Sequence, residues 1–133
     1  MKTILFACVG NACRSQMAEG FFNHLALGRA RAKSAGTMPA SRVAPNTIEV
    51  MREVGIDISD HKPKLLTQKM VEQADIVITM GCGVEACPVI PKRSETWDIE
   101  DPIGQPIEKF REVRDKIRKR VEELVARLSK EST

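Results

Sequence analysis

Cys8 and Arg14 are separated by five residues, Val9-Gly10-Asn11-Ala12-Cys13, and Ser15 follows at once. A thiol, a short loop and a guanidinium are the parts of an oxyanion cradle. Successive backbone N–H groups in a tight loop point inward as an anion-binding nest. A helix starting just after the loop aims its free N–H groups and positive dipole end at the same point. Gly10 and Asn11 tolerate the left-handed backbone such a loop needs. Arg14 adds a planar fork that grips two oxygens of a tetrahedral anion. A thiol at the bottom of this field is favoured as the thiolate, and the Ser15 hydroxyl can bond the same sulfur. Cys8 is therefore the expected nucleophile, with Val9, Gly10, Asn11, Ala12, Cys13 and Arg14 as the oxyanion-binding run. Cys13 is the poorer nucleophile, because it adjoins Arg14 and no loop can wrap around it. A buried structural cysteine beside an unrelated arginine is the plainer alternative.

A second cysteine pair, Cys82 and Cys87, lies in Met80-Gly81-Cys82-Gly83-Val84-Glu85-Ala86-Cys87-Pro88. It follows the clearest strand-like run of the chain, so it belongs at the same sheet edge as Cys8. Two glycines beside Cys82 give the loop the freedom that thiol chemistry needs, and local unfolding near residues 80–93 is expected. Loop packing and a zinc site are the competing readings, since both cysteine pairs have spacings known from structural zinc sites. Under the zinc reading Arg14 would have no role.

These groups need elements to hold them. Thr3 to Ala7 is an apolar run that reads as a first, buried strand. From Gln16 to Leu27, Met17, Phe21, Phe22 and Leu25 recur at helical spacing, with Gly28 as the expected C-cap. Arg31 to Ala35 is a polar second strand, suited to a sheet edge. Asn46 is expected to cap a helix closed by Gly55. A short helix over Thr67 to Gln73 precedes the β-branched strand Ala74 to Met80. Glu95-Thr96-Trp97 forms a fourth strand, Asp101 to Gly104 a turn. Ile107 to Leu128 is an amphipathic helix with Phe110, Val113, Ile117, Val121, Leu124 and Leu128 as its apolar stripe. Strands alternating with helices define an α/β fold with a parallel sheet, whose ligands bind beyond the carboxyl ends of the strands.

At 133 residues the chain is expected to be one domain, residues 1–133. A net charge of +3 gives no case for nucleic acid, and no stretch approaches the ~20 apolar residues that span a bilayer. The start, ending in Leu5-Phe6-Ala7-Cys8, is too short for a signal core of roughly 7–15 apolar residues. A cytoplasmic location is therefore expected. In that compartment cysteines are reduced and disulfides are transient and catalytic.

Cys8-Val9-Gly10-Asn11-Ala12-Cys13-Arg14-Ser15 resembles the Cys-x-Gly-Asn-x-Cys-Arg-Ser loop of the low-molecular-weight tyrosine phosphatase superfamily. The continuation Gln16-Met17-Ala18-Glu19-Gly20 is similar to its arsenate reductase branch; phosphatases usually carry proline where this chain has Gln16. The resemblance covers nearly the whole chain. It implies a three-layer fold, a four-stranded parallel sheet flanked by helices. It also implies reduction of arsenate to arsenite, with phosphate or sulfate as mimics of the substrate. Reduction takes two electrons, which a dithiol supplies on becoming a disulfide. By the resemblance, Cys8 attacks arsenate, Cys82 attacks Cys8, and Cys87 attacks Cys82. The Cys82–Cys87 disulfide then passes to thioredoxin or a similar dithiol protein, fed by NADPH through thioredoxin reductase. No bound cofactor and no metal is implied.

Asp101-Pro102 matches the family's late Asp-Pro, which makes Asp101 the general acid. Phosphatases usually continue with tyrosine, whereas this chain has Ile103 there and no tyrosine anywhere. That favours a small inorganic substrate. Ser34 is expected to buttress the cradle. Some relatives bind potassium near the positions of Asn11, Glu19 and Ser34, with a later aspartate where this chain has Lys64, whose ammonium group is a candidate substitute for the ion. His24 and His61 read as a helix-surface and a loop histidine. The alternative reading is a low-molecular-weight phosphatase that hydrolyses phosphomonoesters through a Cys8 phosphoenzyme, its extra cysteines protecting the nucleophile. A binding protein that senses oxyanions or thiol-bound metals is the non-enzymatic one.

Overall fold

The computed structural model describes residues 2–80 and 93–131. Cys82 and Cys87 lie outside the described residues. The elements are β1 (Lys2–Cys8), α1 (Arg14–Ala26), β2 (Ala30–Gly36), α2 (Pro45–Glu53), α3 (Gln68–Gln73), β3 (Ile76–Met80), β4 (Ser94–Thr96) and α4 (Ile107–Glu131). The strands form one sheet in the order β2-β1-β3-β4, and every pairing is parallel. This is the three-layer α/β architecture that the pattern and the resemblance imply.

β1 is buried from Ile4 to Cys8, as the centre of a parallel sheet requires. Alternation along the strand divides its side chains between two cores. Ile4, Phe6 and Cys8 join Ile76, Ile78 and Met80 of β3 under α1, α2 and α4. Leu5 and Ala7 join Val77 on the opposite face, covered by Leu66 and Val71. Phe6 is wedged between Phe22 and Trp97, with ring centroids 6.2 and 5.6 Å away. Trp97 is thus core. The apolar stripe of α4 is buried at all six expected positions.

The register sets the place of chemistry. Cys8 pairs with Gly36 on one side and Met80 on the other, and all three end their strands. The carboxyl edge of the sheet is therefore level at β2, β1 and β3. At the opposite flank, β2 is the edge strand that its polarity predicts. Asn23 of α1 blunts it: its carboxamide accepts from the Ala32 amide at 2.8 Å and donates to the Ala32 carbonyl at 3.2 Å.

Two helix ends differ from the sequence expectation. α1 leaves the helical conformation at Leu27 (φ 50), one residue before Gly28 (φ 83), so the left-handed cap begins on an exposed leucine. α2 starts at Pro45 with Ala44 in the capping position, and Asn46 lies inside the helix. Proline lacks the N–H that a first turn leaves unbonded anyway, so it competes well for that place. Among the described residues no helix is long and apolar enough to cross a membrane.

α2 is bolted to α4 through Glu53. Its carboxylate accepts from Arg111 Nη2 at 2.7 Å and from Arg114 Nη1 at 2.7 Å. The Arg111 bonds first, then those of Arg114, hold the Glu53 carboxyl down at about 2, against an ordinary value of 4.5. A depressed carboxyl contributes its stability above the unfolded value and loses it as pH falls through the folded one. The urea midpoints of the wild type and Glu53→Gln should therefore differ at pH 7 and converge between pH 4.5 and pH 2. A gap that persists at the acid end would assign the effect to packing.

Candidate active site

The loop after β1 turns its carbonyls outward. The Cys8, Val9, Gly10 and Ala12 oxygens accept from the amides of Thr37, Met38, Ala40 and Ala44, at 3.2, 2.9, 2.9 and 3.0 Å. The Asn11 carbonyl accepts from Gln16 Nε2 at 3.2 Å and that of Cys13 from the Met17 amide at 2.9 Å. With the oxygens taken, the amide edge faces the inside of the loop, where Asn11 N donates to Cys8 Sγ at 3.3 Å. The amides of Val9, Gly10, Ala12 and Cys13 have no acceptor among the described residues. That is the anion-binding nest expected from the spacing.

Asn11 alone carries the left-handed backbone, at φ 50, and Gly10 does not share it. A Cβ at Gly10 would meet only the Ala12 Cβ, at 4.0 Å, so that glycine is not sterically required. Gly36 is. A Cβ there would stand 2.5 Å from the Val9 oxygen and 2.9 Å from the Asn11 amide nitrogen, the donor to Cys8. The cradle rests directly on the bare backbone at the end of β2.

The hydrogen bonds fix the proton on Ser15. Asn11 Oδ1 accepts from the Lys64 amide at 2.9 Å and from Gln16 Nε2 at 3.1 Å, so the other end of the carboxamide is its N–H₂. That group donates to Ser15 Oγ at 2.7 Å. The Ser15 hydroxyl, having accepted, turns its own proton to Cys8 Sγ, 2.9 Å away. Cys8 Sγ therefore receives two hydrogen bonds, one from a hydroxyl and one from an amide. By the same logic Gln16 Oε1 accepts, and His61 Nδ1, at 3.0 Å, carries the proton.

Arg14 is 7% exposed. Its Nη1 donates to the Ile99 carbonyl at 2.9 Å, and its Nη2 lies 3.7 Å from Asp101 Oδ2. Asp101 is exposed and accepts from the Ile103 amide at 3.0 Å, in a turn continued by the Gln105-to-Pro102 bond at 2.8 Å. The loop after β4 thus brings a carboxyl to the cradle's mouth. Cys13 is as buried as Cys8, 3% exposed each, yet burial pushes its thiol up from 9.0 to about 12. It stays a neutral core group beside Thr47, as its position next to Arg14 suggests.

The structure thus brings Cys8, the 9–14 loop, Arg14, Ser15 and Asp101 together. Asp98 and Glu100 are both exposed, and Glu100 is turned to Lys109 and Lys116 at 3.0 and 2.7 Å. Ser34 is fully buried and donates to Glu19 Oε1 in a short hydrogen bond. Lys64 contributes its amide rather than its ammonium group, which has no ion pair among the described residues. Sequence reasoning missed Gln16 as a buried tie, with its bond to Lys62 O at 3.3 Å, and treated His61 as a plain loop residue. It also missed Gly36. Its place at the end of a strand facing a nucleophile loop was the available signal.

Fold and site together define an enzyme class built on a cysteine held in an oxyanion cradle. The sequence profile of the low molecular weight phosphotyrosine protein phosphatase family matches residues 3–133, and the chain belongs to that family. Its relatives include a "Glutaredoxin arsenate reductase" from Synechocystis, 44% identical over 132 residues, spanning 97% of this chain and 100% of that protein. A solved structure described as an arsenate reductase in the phosphate binding state superposes with a TM-score of 0.87 at 43% identity, over 96% of this chain and 98% of that one. A thioredoxin-dependent arsenate reductase of Corynebacterium glutamicum superposes with a TM-score of 0.85 at 38% identity, over 97% of this chain and 62% of that one.

Gly36→Ala tests the geometry. The added methyl must displace the Val9 carbonyl or the Asn11 amide, so about 1–3 kcal/mol of stability should be lost, together with most reactivity of Cys8. Denaturant unfolding and thiol labelling measure both, with Gly10→Ala as the near-neutral control.

Proposed function

We propose that the protein reduces arsenate to arsenite, using Cys8 as nucleophile, Cys82 and Cys87 as the electron relay, and thioredoxin as the source of electrons. The observation that carries the reading is the bonding around Cys8: a sulfur receiving two hydrogen bonds inside a nest of amides that have no acceptor among the described residues. Near-full-length likeness to arsenate reductases directs that chemistry to arsenate.

The Cys8 sulfur attacks arsenic while the loop amides and Arg14 hold the remaining oxygens. An As–S bond forms, and one oxygen leaves as water on a proton supplied by Asp101; arsenic remains pentavalent. Cys82 then attacks the Cys8 sulfur. The electron pair of the S–As bond passes to arsenic, which departs as arsenite, and a Cys8–Cys82 disulfide remains. Cys87 displaces Cys8, and a dithiol protein reduces the Cys82–Cys87 disulfide by exchange. Two features support this order. β3, the strand that leads to Cys82 in sequence, ends at Met80 beside Cys8 in the sheet. Ile103, where phosphatases of the family usually have tyrosine, leaves the mouth without an aromatic wall. The arrangement calls for no metal or resident cofactor.

NADPH oxidation in the presence of thioredoxin and thioredoxin reductase tests the reading. Arsenate should drive sustained oxidation by the wild type. Cys82→Ser should lose multiple turnover while keeping slow hydrolysis of an aryl phosphate. Full turnover by Cys82→Ser would break the relay, and brisk phosphate hydrolysis without arsenate-dependent oxidation would make the protein a phosphatase.

A further inference from the structure

We propose that a cavity at the end of the sheet opposite Cys8 is a binding site for a small amphiphile, an apolar chain carrying one carboxylate. The proposal is independent of the reductase reading. The cavity holds about 330 Å³, a volume typical of small-molecule sites. Two helices build it. α1 stops at Ala26, where the chain turns back into β2, while α4 runs on to Glu131. Phe22, Leu25 and Ala26 share one face of α1 and form one wall. Val125, Leu128 and Ser129 repeat that spacing on α4 and form the other. Leu25 and Val125 are only partly buried, although both border the main core.

Leu27 stands at the rim, 81% exposed. Its backbone is left-handed at φ 50, a region that glycine enters freely and leucine only at a cost. Among the described residues, glycines aside, it shares that backbone only with Asn11, the centre of the cradle. Closing α1 does not require leucine here, since glycine is the better residue for a left-handed helix end. A leucine at this place is unfavourable twice over, in its backbone and in its contact with water. Folding does not ask for it. A ligand that packs on its side chain does.

The polar groups of the lining name the ligand's head. They are Lys2, Arg29 and the Ser129 hydroxyl, with no carboxylate among them. Both cations are exposed, and Arg29 forms no ion pair among the described residues. A guanidinium offers a carboxylate two parallel hydrogen bonds. α1 and α4 both end close by, and their dipoles place about half a negative charge at each end. Full charges on Lys2 and Arg29 outweigh them. Apolar walls with a few convergent polar groups are the anatomy of a small-molecule site. A neutral apolar ligand would leave both cations without a part, and a small inorganic anion would leave the walls without one.

Calorimetric titration with decanoate tests the site, in phosphate buffer so that an oxyanion already competes for the cradle. The wild type should bind one decanoate per chain, and its amide NMR shifts should gather in residues 22–29 and 125–129. Decanol should bind about tenfold more weakly than decanoate. Arg29→Gln should weaken decanoate about fivefold and leave decanol within about twofold. Leu27→Gly should weaken both about fivefold, with a thermal midpoint equal to or above that of the wild type. A wild type that binds no decanoate overturns the proposal, as do shifts that gather around Cys8 or an affinity that neither variant alters. Decanol binding as tightly as decanoate overturns it too, because the cations then have no part. So does a lower midpoint in Leu27→Gly, which would make Leu27 a packing residue. A wild-type dimer, or attachment to phosphatidylglycerol vesicles, that Leu27→Gly abolishes would give this face to a second copy or to a membrane instead.

Discussion

Both hydrogen-bond donors to the Cys8 sulfur are set by Asn11. Its backbone is left-handed and its side chain has no exposed surface. From that one residue an amide reaches the sulfur, a carboxamide nitrogen sets the Ser15 proton, and a carboxamide oxygen collects Gln16 and Lys64. Asparagine suits the position because it tolerates the left-handed region and offers a donor and an acceptor on one short arm. An aspartate would offer no donor to Ser15 in its ionised form. A glycine would keep the turn but leave the Lys64 amide and the Ser15 oxygen without their partner.

The same logic separates the two cysteines of the loop. Cys8 and Cys13 are equally buried, yet their surroundings differ in what they offer a charge. Cys8 faces N–H and O–H donors aimed at its sulfur. Cys13 faces inward into apolar core, and burial raises its thiol far above the neutral range. Burial alone therefore does not distinguish the two thiols. Preorganised donors do, because they substitute for the water that a buried polar group loses on leaving solvent. The surrounding scaffold then needs to be stiff, which the level strand ends, the strap of residues 37–44 and the Glu53 tie between α2 and α4 provide.

Much of this was legible in the sequence because it is local. The cysteine-to-arginine spacing, the apolar strand before it and the helix after it all lie within one stretch, and they gave the turn of the loop around Cys8 and its place at the sheet edge as the structure has them. The stripe of α4 was legible for the same reason, since periodicity is a short-range signal. What escaped were contacts made by backbone or by distant residues. The carbonyl that steadies Arg14 comes from Ile99, 85 positions away, and any residue type would supply it. The Gln16–His61 tie spans 45 positions. Gly36 read as the end of a strand, because nothing in composition says that another segment's backbone lies against it. At the start of α2 the local reading chose Asn46 on capping preference alone, although Pro45 beside it had the stronger claim on the first turn.

The account's central claim is that Cys8, and not Cys13, is the thiol poised to attack an oxyanion held in the cradle. Timed labelling with iodoacetate at neutral pH, read out cysteine by cysteine on peptides by mass spectrometry, tests it most directly. The account predicts that Cys8 is modified while Cys13 stays intact, and that inorganic phosphate slows the Cys8 reaction. Equal labelling of Cys13, or a Cys8 rate indifferent to phosphate, would contradict it.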